Sequence, residues 1–117
     1  MPMPVYAIQA NGHALPAEIR LVRMDPMPVA PPIEMPSERE LEVLTHIAAG
    51  IPYHQAAGRL YISERTFRSH ASNINAKLAT NNIVQAAIYM LALGAITWAD
   101  IMALWRQHAP HLVDGGS

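Results

Sequence analysis

The stretch Ser63-Glu64-Arg65-Thr66-Phe67-Arg68-Ser69-His70 decides the fold predicted for this chain. Ser63 is a hydroxyl residue suited to cap a helix, and the pattern that it opens continues to Leu78. Apolar residues recur there at spacings of four, three and four, which predicts one buried stripe on a helix over residues 64–78. The opposite edge is small or polar. The predicted stripe consists of Phe67, Ala71, Ile74 and Leu78, and the opposite edge of Arg65, Arg68, Ser69, Ser72 and Ala76.

Two shorter helices are predicted before this one. Ser37-Glu38-Arg39-Glu40 has the pattern of a capping box, and Gly50 is a suitable stop for the helix that it opens. A second helix is expected over roughly 53–60, followed by a tight connection through Tyr61-Ile62. The residues expected to face the core are Leu41, Leu44, Ile47 and Ala48 in the first helix and Ala56, Ala57 and Leu60 in the second.

The segment after residue 80 predicts two further helices. The first, about 82–93, is apolar on nearly all sides, so one face has no obvious cover within so small a domain and indicates a partner helix. We therefore predict dimerisation through Val84, Ile88 and Leu91. The second begins at Thr97 and extends to about Gln107; its two tryptophans indicate packing, either on this domain or across a dimer.

The first third of the chain is the least regular in pattern. Residues 4–23 predict a hairpin or a loose arm, because two β-prone segments flank the turn signal Asn11-Gly12. Residues 24–36 contain five prolines and favour an extended, polyproline-like spacer.

Composition restricts the class of protein. The 117 residues suffice for one small domain, and the absence of cysteine excludes disulfides and thiolate metal sites. No apolar run has the roughly 18 residues needed to span a membrane, and no secretory signal is evident, so we expect a cytoplasmic location. The net charge of −1 argues against nucleic acid, but the basic residues of 59–77 are clustered.

The sequence contains no catalytic or metal-binding pattern. No Ser/His/Asp grouping and no glycine-rich phosphate loop occurs, so we expect neither an enzyme nor a cofactor. His108 and His111 have a superficial metal spacing, but Pro110 interrupts the helix and no third ligand is near, which argues against a metal.

Residues 35–96 resemble the LuxR/FixJ-type (GerE-like) helix-turn-helix domain of bacterial regulators. The resemblance lies in Ser37–Leu44, in Ala48-Ala49-Gly50, in Ile62–His70 and in the Lys77-Leu78 and Gln85-Ala86 pairs. It implies an all-α fold, a four-helix domain that is extended here by an N-terminal arm over 1–34 and an additional C-terminal helix and tail over 97–117. Pro52-Tyr53-His54 departs from the more polar start that the family has in its second helix.

The resemblance also implies which residues contact DNA. The helix over 64–78 would enter the major groove. Arg68, Ser69 and Ser72 would meet base edges, with Arg68 able to grip a guanine through two hydrogen bonds. The status of His70 is open between a structural role and a phosphate contact. The expected backbone contacts are Ser63, Arg65, Thr66, Asn73 and Lys77 in the recognition helix and Tyr53, His54 and Gln55 in the helix before it.

The predicted function is therefore sequence-specific binding of double-stranded DNA by a small transcriptional regulator, as a homodimer. The alternative is an adaptor or anti-regulator that pairs with a larger helix-turn-helix regulator, which the apolar helices and the low positive charge favour. Small-molecule sensing near Trp98, Met102 and Trp105 lacks convergent polar groups and is disfavoured.

Overall fold

The computed structural model describes residues 29–113, which form five α-helices and a final 3-10 turn with no strand among them. The predicted all-α fold is confirmed, and the helix boundaries agree with the sequence pattern to within one or two residues. The hairpin predicted for residues 4–23 lies outside the described residues. The elements are α1 (Glu38–Ala48), α2 (Tyr53–Arg59), α3 (Glu64–Leu78), α4 (Ile83–Leu93), α5 (Trp98–His108) and the 3-10 turn Pro110–Leu112.

Side-chain caps define where four of the helices begin. Each of the four cap residues accepts a hydrogen bond from the backbone amide three positions ahead, which satisfies a donor that the helix leaves unpaired. At α1 the capping box is complete, because the Glu40 carboxylate also accepts from the Ser37 amide at 2.9 Å. The exception is α2, where Pro52 offers no side-chain cap. The capping residues are Ser37, Ser63, Asn82 and Thr97.

The first four helices end in the same kind of turn. In each, the chain enters the left-handed region, and the next amide donates back to a carbonyl of the helix's last turn, as Ile62 does to Ala57 at 3.0 Å. Glycine fills this position after α1 and α4, but Tyr61 and Ala79 fill it after α2 and α3. These two carry a backbone conformation that a side chain disfavours.

The buried stripe predicted for α3 is confirmed. Phe67 and Ile74 are fully buried, and Ala71 and Leu78 nearly so, against α1, α2 and α4. The inward residues predicted for α2 are buried as well.

In α1 the buried edge differs from the predicted one. Val43 and Leu44 are fully buried, whereas Leu41, Ile47 and Ala48 are only half-buried. The reason is that α1 contacts all four other helices, which rotates its most enclosed side towards Val43 and Glu40.

A partly buried ion pair joins α1 to α3. Lys77 Nζ lies 2.8 Å from Glu40 Oε1 and 3.9 Å from a Glu34 carboxylate oxygen. Burial alone would raise the pKa of Glu40, but hydrogen bonds from Lys77 and Ser37 and the Lys77 charge outweigh it and leave that pKa below the usual value. The hydrogen bond to Glu40 likewise raises the pKa of Lys77. The C-terminal half of α3 is thus held to α1 by charge as well as by apolar packing.

The additional helix α5 packs on α1. Ile101 is buried, and the Trp105 indole Nε1 donates to the Ala49 carbonyl at 2.8 Å, so Trp105 packs within this domain. Trp98, in contrast, is about half exposed. None of the helices among the described residues has the length and apolar character needed to cross a membrane.

The segment before α1 lies against the helices. Pro36 is buried, and the Tyr89 hydroxyl of α4 donates to the Ala30 carbonyl at 2.5 Å. Residues 29–36 therefore connect to α4 and, through Glu34, to α3.

Candidate nucleic-acid interface

One long side of α3 is polar and solvent-exposed. Because Phe67, Ala71 and Ile74 are turned into the core, the residues half a turn away must point outwards. They line an open, shallow depression along the helix, and the three residues predicted to contact bases lie together in it. The depression is lined by Glu64, Arg65, Arg68, Ser69 and Ser72.

The Arg68 guanidinium is held in place from two sides. Its Nη2 and Nε lie 2.7 and 3.2 Å from Glu64 Oε2, one helical turn earlier. Its central carbon also lies 4.9 Å from the centre of the Tyr53 ring, which is within cation–π range. The side chain nevertheless remains 62% exposed, so its tip is accessible to solvent.

Tyr53 owes its position to an aromatic contact between α2 and α3. Its ring centre lies 4.9 Å from that of Phe67, with a 58° angle between the planes. The ring is half-buried between the core residue Phe67 and the exposed Arg68. The neighbouring His54 and Gln55, predicted with Tyr53 to touch the DNA backbone, are both exposed at the start of α2.

The start of α3 has its polar groups partly engaged. The Ser63 Oγ accepts from the Thr66 amide at 3.0 Å and donates to the Thr66 hydroxyl at 3.0 Å. Both residues are exposed, as are Arg65 and Asn73. All four of these predicted backbone contacts are therefore open to solvent along α3, whereas His70 is half-buried.

The outer side of α4 is apolar. Val84 is 62% exposed and Ile88 61%, and the half-buried Leu91 continues the same side one turn on. Together with three residues of α1 and α4 they line an apolar groove. These three further residues are Ile47, Ala48 and Ala87.

Comparison with known proteins agrees with this geometry. The family described as "Bacterial regulatory proteins, luxR family" (GerE) matches residues 36–90, which cover α1 to α3 and most of α4. Residues 36–90 of this chain are a LuxR-type helix-turn-helix domain. The chain therefore contains a DNA-binding domain of transcriptional regulators, a family that is not enzymatic. Helix α5 lies beyond the matched stretch of this LuxR-type domain.

Three bacterial regulators illustrate the similarity. The transcriptional regulatory protein LnrK of Bacillus subtilis is 45% identical over 58 residues, 50% of this chain and 26% of the relative. An uncharacterized B. subtilis regulator, YhcZ, is 43% identical over 53 residues (45% and 25%). The response regulator protein VraR of Staphylococcus aureus is 41% identical over 56 residues (48% and 27%). The chain thus spans about a quarter of the length of these relatives.

Like Arg68, the basic residues Lys77 and Arg59 of the LuxR-type domain contact other side chains of this chain. Lys77, predicted to contact phosphate, is only 25% exposed and pairs with Glu40 and Glu34, which favours a structural role. Arg59 is drawn back towards α1, where its Nε donates to His46 Nε2 at 3.4 Å. The phosphate contact of Lys77 stays a prediction.

His46 is a buried histidine of the same domain. Its Nδ1 lies 2.8 Å from the Glu42 carbonyl, so it donates there while Nε2 accepts from Arg59. Burial lowers the pKa of His46, and the nearby Arg59 charge acts in the same direction. The imidazole is therefore held neutral and packs as part of α1.

Glu64 and the stacking role of Tyr53 were missed by reasoning from sequence. The four-residue spacing of Glu64 and Arg68 on one helix is a signal that could have found their ion pair. The contact of Tyr53 with Phe67 and Arg68 depends on how α2 crosses α3, and no spacing in the sequence encodes that angle.

Proposed function

We propose that the chain binds double-stranded DNA sequence-specifically as a transcriptional regulator, with α3 in the major groove. In this proposal Arg68, Ser69 and Ser72 meet base edges. The flanking residues proposed to touch phosphates are Ser63, Arg65, Thr66, Asn73, His54 and Gln55, and also Lys77 at the C-terminal end of α3. Tyr53 lies beside them at the start of α2. The observation that carries the proposal is the exposed polar side of α3, opposite a fully buried stripe.

This surface has few positive charges, so a second copy of the domain would strengthen DNA binding. On the depression itself, Arg65 and Arg68 face one acid, Glu64, which is already paired with Arg68. Affinity for DNA depends strongly on the number of phosphates neutralised, so two copies double a small footprint.

The apolar side of α4 supports a homodimer. Two exposed β-branched residues a turn apart, Val84 and Ile88, with Leu91 beyond them, form a self-complementary strip for a twofold contact. A twofold dimer reads an inverted repeat whose half-sites lie about one helical turn apart, roughly 34–36 Å.

Selection of bound fragments from random duplex DNA tests this proposal directly. We expect an enriched inverted repeat, binding that weakens steeply with salt, and loss of enrichment at one G·C pair of each half-site with Arg68→Ala. Arg106→Ala is a matched control, because Arg106 is an exposed arginine on α5, away from the depression. Failure to enrich any sequence at low salt would overturn the proposal.

The alternative function is an adaptor that pairs with a larger helix-turn-helix regulator through the α4 groove. The observation that favours it is the combination of an exposed apolar α4 with a net charge of −1. An adaptor predicts that Arg68→Ala leaves partner binding unchanged, whereas a charge placed at Ile88 or Leu91 abolishes it. DNA binding predicts weaker binding to the selected operator in the Arg68 variant.

A further inference from the structure

We propose that Tyr53 is a positioning residue for base recognition: its ring and the Glu64 carboxylate fix the Arg68 guanidinium so that one forked edge is presented to a guanine. The inference rests on the proposed DNA-binding function and adds to it a residue that sets specificity at one base pair. It assigns Tyr53 a role through Arg68 in place of a direct contact with the DNA backbone.

The hydrogen bonds to Glu64 determine which edge of the guanidinium remains free. Glu64 Oε2 occupies the side edge, formed by Nε and one hydrogen of Nη2. The end edge, formed by Nη1 and the second Nη2 hydrogen, is left free by this pair. This end edge is a two-donor fork, and a guanine offers a matching pair of acceptors, O6 and N7, in the major groove.

The Tyr53 ring restrains the same group in a second direction. A salt bridge to Glu64 alone is exposed on both sides, and such pairs hold their partners weakly. The ring lies 4.9 Å from the guanidinium carbon and so limits its movement towards α2. An arginine that is already oriented loses less side-chain freedom when it binds a base, which increases its discrimination.

The ring is itself fixed, because its partner is in the core. Phe67 is fully buried, and Tyr53 packs on it at a centre-to-centre distance of 4.9 Å. Phe67 and Arg68 are adjacent in α3, so one aromatic side chain from α2 contacts both the buried and the exposed side of the recognition helix. The position of the base-reading arginine is thereby tied to the packing of α2 on α3.

A base-pair substitution scan of the selected operator tests this assignment. Binding is measured for the wild type, Tyr53→Phe, Tyr53→Leu, Arg68→Ala and the Tyr53→Leu/Arg68→Ala double variant, each with its melting temperature. Arg68→Ala should lose discrimination at one G·C pair by about 5- to 150-fold. Tyr53→Leu should lose about two- to five-fold at the same pair, and Tyr53→Phe should behave as the wild type because it keeps the ring.

The double variant separates positioning from general stability. If Tyr53 acts through Arg68, adding Tyr53→Leu to Arg68→Ala causes no further loss of discrimination. A uniform fall in affinity at every base pair, or a loss that adds to that of Arg68→Ala, would overturn the inference and leave DNA binding intact. If no variant and no wild-type protein binds DNA, the proposed function itself falls, and the inference with it.

Discussion

Helices α3 and α4 each leave one side uncovered in the described part of the chain, but the two sides differ in chemistry. The outer side of α3 has arginine, serine and glutamate lining a shallow depression, whereas that of α4 has valine, isoleucine and leucine beside an apolar groove. Both helices bury an opposite face in one shared core, through Phe67 and Ile74 in α3 and through Ala86 and Met90 in α4.

The proposed function uses this difference, because one small domain would bind DNA through one side and a second copy of the chain through the other. A polar, basic side is already well solvated and gains most from a polyanion, so DNA is its natural partner. An exposed apolar side gains most from removal from water, so a second apolar surface is its natural partner. Substitutions that affect one side and spare the other test this division.

The largest effect is expected from a charge on the α4 side. Ile88→Glu would place an uncompensated carboxylate in the proposed dimer contact, at a cost of about 3–5 kcal/mol. We expect the dimer to dissociate and operator affinity to fall with it, as measured by analytical ultracentrifugation and by titration of the inverted repeat.

The matched control for this variant is Met102→Glu. Met102 is an exposed apolar residue on α5, so the same charge is introduced on a different helix. If Ile88→Glu and Met102→Glu are both as dimeric as the wild type, α4 is not the dimer contact. The proposed division, with DNA on the α3 side and a second copy on the α4 side, would then be wrong.

The next effect concerns the α3 side. Arg65→Ala removes one exposed positive charge that we place against a phosphate. We expect the slope of log affinity against log salt to become shallower by about 0.9 for each subunit, because one fewer counterion is released. The slope with Arg106→Ala should equal that of the wild type. An unchanged slope with Arg65→Ala would remove Arg65 from the phosphate contacts.

Whether the sequence predicts a feature of this surface depends on how far apart along the chain the interacting residues lie. The α3 stripe and caps are local patterns of three and four residues, so the exposed polar side followed directly from the spacing of Phe67 and Ile74. The pairing of Lys77 with Glu40 joins residues 37 positions apart. No pattern of nearby residues indicates this ion pair, whereas the phosphate contact of Lys77 stays a prediction. The rotation of α1 towards Val43 likewise depends on tertiary contacts.

The ion pair between Lys77 and Glu40 holds α3 to α1, so part of the stability of the fold should depend on pH. Glu40 has a lowered pKa in the folded state, so it stabilises the fold above its ordinary value of 4.5, and this contribution is lost as pH falls through the lowered value. Lys77→Met should reduce stability at pH 7, where it leaves a buried carboxylate unpaired. The difference in stability from the wild type should narrow as pH falls through the lowered pKa of Glu40, because both proteins then carry a protonated Glu40.

Chemical denaturation at several pH values measures this gap. Glu38→Gln serves as control, since Glu38 is an exposed acid in the same first turn of α1 and does not contact Lys77. A gap between Lys77→Met and the wild type that is constant with pH would mean that the ion pair does not hold α3 to α1.

The smallest expected effect comes from the residues that end α3 and α4. Gly94 after α4 has φ 86° and Ala79 after α3 has φ 55°, so the same left-handed turn is made by glycine in one helix and by alanine in the other. Gly94→Ala should therefore destabilise by about 1 kcal/mol, because a Cβ disfavours this conformation. Ala79→Gly should stabilise by about 0.5 kcal/mol, since relief of the same strain exceeds the entropy that glycine adds to the unfolded chain.

Gly58→Ala is the control for these end-of-helix variants. Gly58 lies inside α2, and a Cβ there would meet nothing within 4 Å, so the same change that destabilises at Gly94 should stabilise here by up to about 1 kcal/mol. Opposite signs at Gly94 and Gly58 would isolate the left-handed backbone as the cause. If Ala79→Gly instead destabilises, the turn after α3 is not strained by its alanine, and the contrast between the two helices is confined to their exposed sides.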